Sequence, residues 1–145
     1  MNFKGHLIGS IITGLIASSV AYYQCDVKLD DTAIILPICI LGGNFPDVDT
    51  NSIPSKFYAI FGLILAIVLI YSGLPALAGA IFVPFILAKA TVHRGWTHKY
   101  YLPVGMMIIA NYWPEYALIL IAFGVGVITH LILDKIYPLA EKGWV

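Results

Sequence analysis

Charged residues along the chain fall in short bunches that are separated by long uncharged stretches. The stretches are 21, 15, 32, 15 and 18 residues long, and they cover residues 5–25, 32–46, 57–88, 100–114 and 116–133. A helix that crosses a hydrocarbon core of about 30 Å needs roughly 20 residues at 1.5 Å each. The first and last stretches therefore predict single membrane-spanning helices.

The middle stretch is too long for one crossing and carries Ser72-Gly73-Leu74-Pro75 near its centre. Gly closely followed by Pro signals a turn, which divides the stretch into predicted helices over 57–72 and 75–91. The two shortest stretches reach only about 22 Å, so they are either short spans or half-inserted segments. The predicted fold is an all-α polytopic membrane bundle of about six short helices, four of them full spans, in one domain over 1–145.

Composition agrees with a lipid environment. Apolar residues make up 60% of the chain and charged residues 11%, whereas a soluble domain has about 25% charged residues. The net charge is zero, which argues against a nucleic-acid partner and leaves the lipid bilayer as the expected one. Cys25 and Cys39 lack metal-site or redox spacing, so neither a disulfide framework nor a zinc-thiolate site is expected.

Basic residues are distributed unevenly if all six stretches cross the membrane. Lys28 then lies on one side, in the acidic loop 26–31, and the other seven lie opposite: Lys4, Lys56, Lys89, Arg94, Lys99, Lys135 and Lys142. The positive-inside rule places those seven, and both termini, in the cytoplasm. Lys4, the apolar run 7–17 and Ser19-Val20-Ala21 also match a cleavable secretory signal, which stays an alternative for the first stretch.

The histidines and several carboxylates share the cytoplasmic side in this topology. They are His6, His93, His98, His130, Asp47, Asp49 and Asp134. Water at helix ends explains why lysines and aspartates gather there, but it does not explain the histidines. Because histidine is the commonest metal ligand and carboxylates complete such sites, the grouping predicts a metal centre.

Two of the patterns are short and local. His130 and Asp134 are spaced i, i+4, so both side chains point to one face of the last helix. Phe45-Pro46-Asp47-Val48-Asp49 follows Gly42-Gly43-Asn44, which predicts a glycine-loosened, proline-bent segment that presents two carboxylates. A capped helix end and a turn leaving the membrane are the alternatives for these two patterns.

The segment His93-Arg94-Gly95-Trp96-Thr97-His98 is the most distinctive pattern. Gly95 permits a backbone bend that brings the two histidines together, and Arg94 supplies a cationic fork suited to phosphate or carboxylate. A basic interfacial loop is the alternative interpretation.

In this order, the motifs resemble those of the YdjM-type membrane-bound metal-dependent hydrolases. The resemblance runs from residue 1 to about 143 and is carried by His6, Pro46-Asp47-x-Asp49-x-x-Ser52, the 93–98 segment and His130-x-x-x-Asp134. Lys99 stands where the family usually has Ser. The pattern is also distantly similar to that of the zinc-dependent phospholipase C and nuclease P1 group. These resemblances imply a hydrolase of the bacterial inner membrane with a divalent metal, for which zinc is the expected ion.

The expected metal ligands are His6, Asp47, His93, His98, His130 and Asp134. Asp49 is expected to be a general base or a further ligand, and Arg94 to hold an anionic oxygen of a phosphodiester, phospholipid or other phosphorylated substrate. A cation or proton carrier, whose ionisable groups would lie near the bilayer midplane, and a non-catalytic scaffold or regulator stay open as alternatives.

The basic-residue distribution makes a topological prediction. A cysteine at position 28 (Lys28→Cys) should react with a membrane-impermeant thiol reagent added outside, and one at position 142 (Lys142→Cys) should not. Labelling of both positions, or of position 142 alone, would contradict the assigned sidedness.

Overall fold

The fold is helical throughout the part of the chain that the computed structural model describes, residues 3–49, 53–73, 75–90 and 96–141. Six α-helices follow in order: α1 (Phe3–Gln24), α2 (Leu29–Asn44), α3 (Ile53–Tyr71), α4 (Pro75–Ala90), α5 (Tyr101–Tyr112) and α6 (Ala117–Glu141). Short 3₁₀ turns cover Pro46–Asp49, Trp96–His98 and Pro114–Tyr116. The prediction of an all-α chain with six helices is confirmed.

The predicted break within the middle stretch is also confirmed. Helix α3 ends at Tyr71 and α4 begins at Pro75, with Gly73 between them at a φ of 77°. Glycine adopts this left-handed conformation without the steric cost that a Cβ atom would impose.

The expectation of four full spans is not supported. Within the described residues, two stretches are long and apolar enough to cross a membrane, Phe3–Gln24 with 22 residues and Pro114–Ile136 with 23. The apolar helices over Ser55–Val68 and Tyr101–Tyr112 are shorter. The two missing spans are those expected over 57–72 and 75–91, where one 32-residue stretch has to supply two helices and a turn, so that α4, with 16 residues, rises only about 24 Å.

The chain divides into two compact units. Helices α3 and α4 pack on each other in the second unit, Asp47–Thr97. The first unit, Met1–Pro46 with His98–Val145, contains α1, α2, α5 and α6. The expected single domain over 1–145 stays a prediction.

Helix direction in the first unit follows from a few contacts. His6 near the start of α1 lies beside Asp134 late in α6, and Ala21 near the end of α1 shares a buried cluster with Ala122 early in α6. These two helices are therefore antiparallel. Helices α2 and α6 are parallel, because Cys39 reaches Ala122 and Gly43, one turn later, reaches His130.

Helices α2 and α6 approach each other at backbone distance. A Cβ atom added to Gly42 would collide with the carbonyl of Phe123, and one added to Gly126 would collide with the carbonyl of Cys39. Small residues allow such close packing between membrane helices, where lipid tails are as apolar as the side chains. The prediction that glycines loosen this segment is therefore wrong: Gly42 and Gly43 lie inside α2, which continues to Asn44.

Polarity in the first unit is arranged with polar groups inside and apolar groups outside. The buried polar side chains include those of His6, Ser10, Thr32, Asn44 and His130. Large apolar side chains on α1 are exposed, namely Ile8, Ile12, Leu15, Ile16 and Val20. This distribution suits a helix bundle in lipid, where ionisable groups turn towards the protein interior.

The close α2–α6 contact predicts that Gly126→Ala is destabilising. The new Cβ would meet the backbone of Cys39, which cannot move without separating the helices, so we expect a loss of about 1–3 kcal/mol in the free energy of unfolding. Thermal unfolding in detergent, followed by circular dichroism, measures it. Gly105→Ala is the matched control: its Cβ would meet no atom within 4 Å, so stability should stay the same or rise. Equal stability of parent and Gly126→Ala would contradict the packing argument.

Candidate metal centre

Four of the side chains predicted for the site come together inside the first unit. They are His6 from α1, His98 from the 3₁₀ turn before α5, and His130 and Asp134 from α6. The three histidine side chains are at most 8% exposed and that of Asp134 is 19% exposed. A nearly buried carboxylate is thus surrounded by imidazoles from three segments of the chain.

Helix α6 places His130 and Asp134 on one face, as their spacing predicts. Nε2 of His130 lies 3.5 Å from Oδ2 of Asp134. On the other side of the ring, Nδ1 lies 2.8 Å from the carbonyl oxygen of Gly43 in α2. Because a carbonyl only accepts hydrogen bonds, Nδ1 carries a proton and donates it to Gly43, and Nε2 is the ring nitrogen that faces Asp134.

His6 contacts the other oxygen of the same carboxylate. Its Nε2 lies 3.1 Å from Oδ1 of Asp134, within the usual hydrogen-bond range of about 2.7–3.2 Å. The imidazole stacks on that of His130, with the ring centroids 3.8 Å apart. Nδ1 of His6 is buried and has no hydrogen-bond partner among the described residues.

His98 approaches from a separate segment. Its Nε2 lies 3.8 Å from Oδ2 of Asp134, and its ring meets that of His130 edge-on at 5.3 Å. Two residues later, the ring of Tyr100 lies 4.7 Å from Nζ of Lys135, the neighbour of Asp134. Such a cation–π contact is worth about 0.5–1 kcal/mol when exposed, and it holds the start of α5 against α6.

The distances at Asp134 distinguish a hydrogen-bonding contact on one oxygen from longer contacts on the other. The atoms His98 Nε2, His130 Nε2 and Asp134 Oδ2 include separations of 3.5 and 3.8 Å, longer than good hydrogen bonds. Tetrahedral zinc with bonds of about 2.0–2.2 Å holds its ligand atoms roughly 3.3–3.6 Å apart. These three residues offer ligand atoms within 4.8 Å of one another and could hold a metal ion. His6 lies at hydrogen-bonding distance from the carboxylate, and its role as a ligand stays a prediction.

The other predicted site residues lie outside the described part of the chain or in the second unit. His93 and Arg94 lie outside the described residues. Asp47 is the first residue of the second unit, and Asp49 is the last residue of the 3₁₀ turn Pro46–Asp49. The proposed roles of these residues stay predictions.

Sequence reasoning missed two contributors, the carbonyl of Gly43 and the side chain of Ser10. A backbone carbonyl carries no signature in residue type. Ser10 lies one turn after His6, and this i, i+4 spacing on the first helix was the available signal.

Comparison with known proteins agrees with the membrane character of the chain. The family model described as YdjM inner membrane protein matches residues 1–141. No curated protein and no solved structure matches the chain.

The geometry predicts that Asp134→Asn abolishes tight metal binding. The substitution removes a negative charge with almost no change in size, and an amide oxygen is a much poorer zinc ligand than a carboxylate. We expect zinc affinity to fall by more than about 100-fold, since even outer partners of a metal site contribute 10–100-fold. Metal analysis and thermal unfolding of the detergent-solubilised variant measure this. The control, Glu115→Gln, removes the same charge at an exposed position before α6 and should keep its zinc. Full metal content in Asp134→Asn would remove this residue from the site.

Proposed function

The chain belongs to the YdjM inner membrane protein family, and we propose that it is a zinc-dependent hydrolase that acts on a phosphodiester or phospholipid at the cytoplasmic face of that membrane. The observation that supports this most is the largely buried cluster of His98, His130 and Asp134, whose ligand atoms lie within 4.8 Å of one another. Imidazole and carboxylate groups are the ligands that catalytic zinc uses.

The number of ligands favours catalysis over a structural role. Structural zinc sites are closed by four protein ligands, whereas catalytic sites use three and leave one position for water or substrate. Two imidazoles and one carboxylate make such a three-ligand set. A divalent ion bound there would lower the pKa of a water molecule towards 7 and polarise a phosphoryl oxygen.

The residues around the cluster keep the three ligands in position. His6 donates to Oδ1 of Asp134, which leaves Oδ2 directed towards His98 and His130. Gly43 holds His130 in the tautomer whose Nε2 can bind a metal. Asp134 is the most exposed of the four side chains, so water and substrate would enter on its side.

The position of the cluster along the helices supports a substrate at the membrane surface. His6 is the fourth residue of α1, about 4.5 Å from its start, and Asp134 lies two residues before the end of the apolar stretch Pro114–Ile136. Because α1 and α6 are antiparallel, both residues lie at the same end of the two candidate spans. If the two stretches cross the bilayer, the cluster would lie near the lipid phosphates, whereas a carrier places its ionisable groups near the midplane.

Four further residues have roles in the proposed mechanism that rest on the sequence motifs alone. Arg94 would hold an anionic phosphate oxygen through its bidentate guanidinium, and Asp49 would act as general base or additional ligand. Asp47 and His93 would serve a second divalent ion, so that the set of His98, His130 and Asp134 keeps its open position. The cytoplasmic orientation of both termini follows from the basic-residue distribution.

Activity measurements on the purified protein test the proposal. The zinc-loaded parent should hydrolyse bis(p-nitrophenyl) phosphate or the phosphodiester of phosphatidylglycerol vesicles, and the rate should fall on chelation and return with zinc. His98→Asn should reduce turnover by about 100-fold or more, as expected for loss of a ligand at a catalytic metal. Glu115→Gln should retain the parent rate.

Other outcomes would favour the alternative functions. Proton or cation flux into proteoliposomes without hydrolysis would favour a carrier. Absence of both bound metal and hydrolysis in the folded parent would overturn the hydrolase proposal and favour a scaffold or regulator.

A further inference from the structure

We infer that Ser10 and Gly43 form a sterically matched pair that positions the histidines of the metal centre, with Ser10 as a positioning residue that binds no metal itself. This inference rests on the proposed metal-dependent function and concerns how the site is held in its binding geometry.

Ser10 connects α1 to the centre in two ways. Its side chain is fully buried, and Oγ donates a 2.7 Å hydrogen bond to the carbonyl oxygen of His6. The same Oγ occupies the space that a Cβ atom on Gly43 would need. Ser10 therefore fixes the distance between α1, which carries His6, and the backbone of α2.

Gly43 transmits that distance to the second histidine. Its carbonyl oxygen accepts the 2.8 Å hydrogen bond from Nδ1 of His130. The contacts run from His6 to Ser10, Gly43 and His130, and the stack of the two imidazoles at 3.8 Å closes the ring. A shift of Gly43 would rotate His130 and move its Nε2 relative to Asp134.

Gly43 is also close to α6. A Cβ atom on Gly126 would lie 2.7 Å from the Gly43 nitrogen, closer than real Cβ contacts allow, and a Cβ atom on Gly43 would lie 3.4 Å from the Gly126 carbonyl oxygen. The backbone at Gly43 is thus packed against both Ser10 and Gly126. Adding even a methyl group at Gly43 must therefore move the helices apart, and the histidines that they carry move with them.

Gly43→Ala tests this arrangement, with Ser10→Gly as its compensating change. The alanine Cβ collides with the Ser10 side chain, so we expect zinc affinity to fall about 10–100-fold, the usual effect of disturbing an outer partner of a metal ligand. The visible spectrum of the cobalt-substituted protein, which reports coordination geometry, should also change. In the double variant Ser10→Gly/Gly43→Ala the space is free, and both affinity and spectrum should return towards those of the parent.

Gly14→Ala is the matched control for general loosening of the same helix pair. Its Cβ would approach the side chains of Leu36 at 2.9 Å and Cys39 at 3.2 Å, one turn further along α1 from Ser10. We expect this variant to be less stable than the parent, with an unchanged cobalt spectrum. A structural role for Gly43 alone would make the two glycine variants behave alike.

Ser10→Ala provides a second measurement that does not depend on the folding of Gly43→Ala. It leaves empty the space beside Gly43 that the hydroxyl fills, and that the alanine methyl group fills in the double variant. Ser10→Ala should therefore weaken zinc binding and alter the cobalt spectrum. A parent-like spectrum in Ser10→Ala, or a double variant that folds without recovering the parent spectrum, would overturn the inference.

Failure of the inference and failure of the proposed function are distinguishable. If the parent binds zinc but Gly43→Ala binds it equally well, the positioning role is wrong and the metal centre stands. If the folded parent binds no metal, the proposed function fails. In metal-free protein, the ¹⁵N chemical shifts of the His130 ring still show whether Nδ1 carries a proton. Loss of this proton from Nδ1 in Gly43→Ala, and its return in the double variant, would support the pairing of Ser10 with Gly43. An unchanged position of the proton in Gly43→Ala would contradict it.

Discussion

The carboxylate of Asp134 carries the charge that the first unit must accommodate near the end of an apolar helix. Moving an ionised group out of water costs several kcal/mol unless donors or a metal compensate it. Here compensation comes from three imidazoles on separate segments, with His6 at 3.1 Å from one oxygen and His98 and His130 facing the other. The side chain of Asp134 is thus the point at which α1, α6 and the turn before α5 contact one another.

Close helix packing and the polar centre depend on each other. Helix α2 contributes no described side chain to the His98–His130–Asp134 cluster, yet its backbone fixes the ring of His130 through the Gly43 carbonyl. That carbonyl reaches the ring because α2 and α6 touch where Gly42 and Gly126 lack side chains. In a membrane protein, packing of this kind orders the helices together with the buried apolar cluster that includes Ala21 and Ala122.

Much of the helical framework could be predicted from the uncharged stretches of the sequence, and part of the metal centre from the i, i+4 spacing of its residues. The long uncharged stretches indicated α1 and α6, Gly73 marked the turn between α3 and α4, and the i, i+4 rule placed His130 beside Asp134. The glycines at 42 and 43 were misread because their local flexibility is overridden by contacts with α6, which sequence spacing does not reveal. The span count failed because one 32-residue stretch is shared by α3, α4 and the turn between them. The Gly43 carbonyl has no residue-type signal.

The order of the ligands along the chain has a consequence for biosynthesis. His6 belongs to the first helix to be made, whereas His130 and Asp134 belong to the last. The centre therefore cannot form on a nascent chain until α6 has been made and has packed beside α1 and α2. Any ion bound between His98, His130 and Asp134 would mark a molecule in which these helices have already assembled.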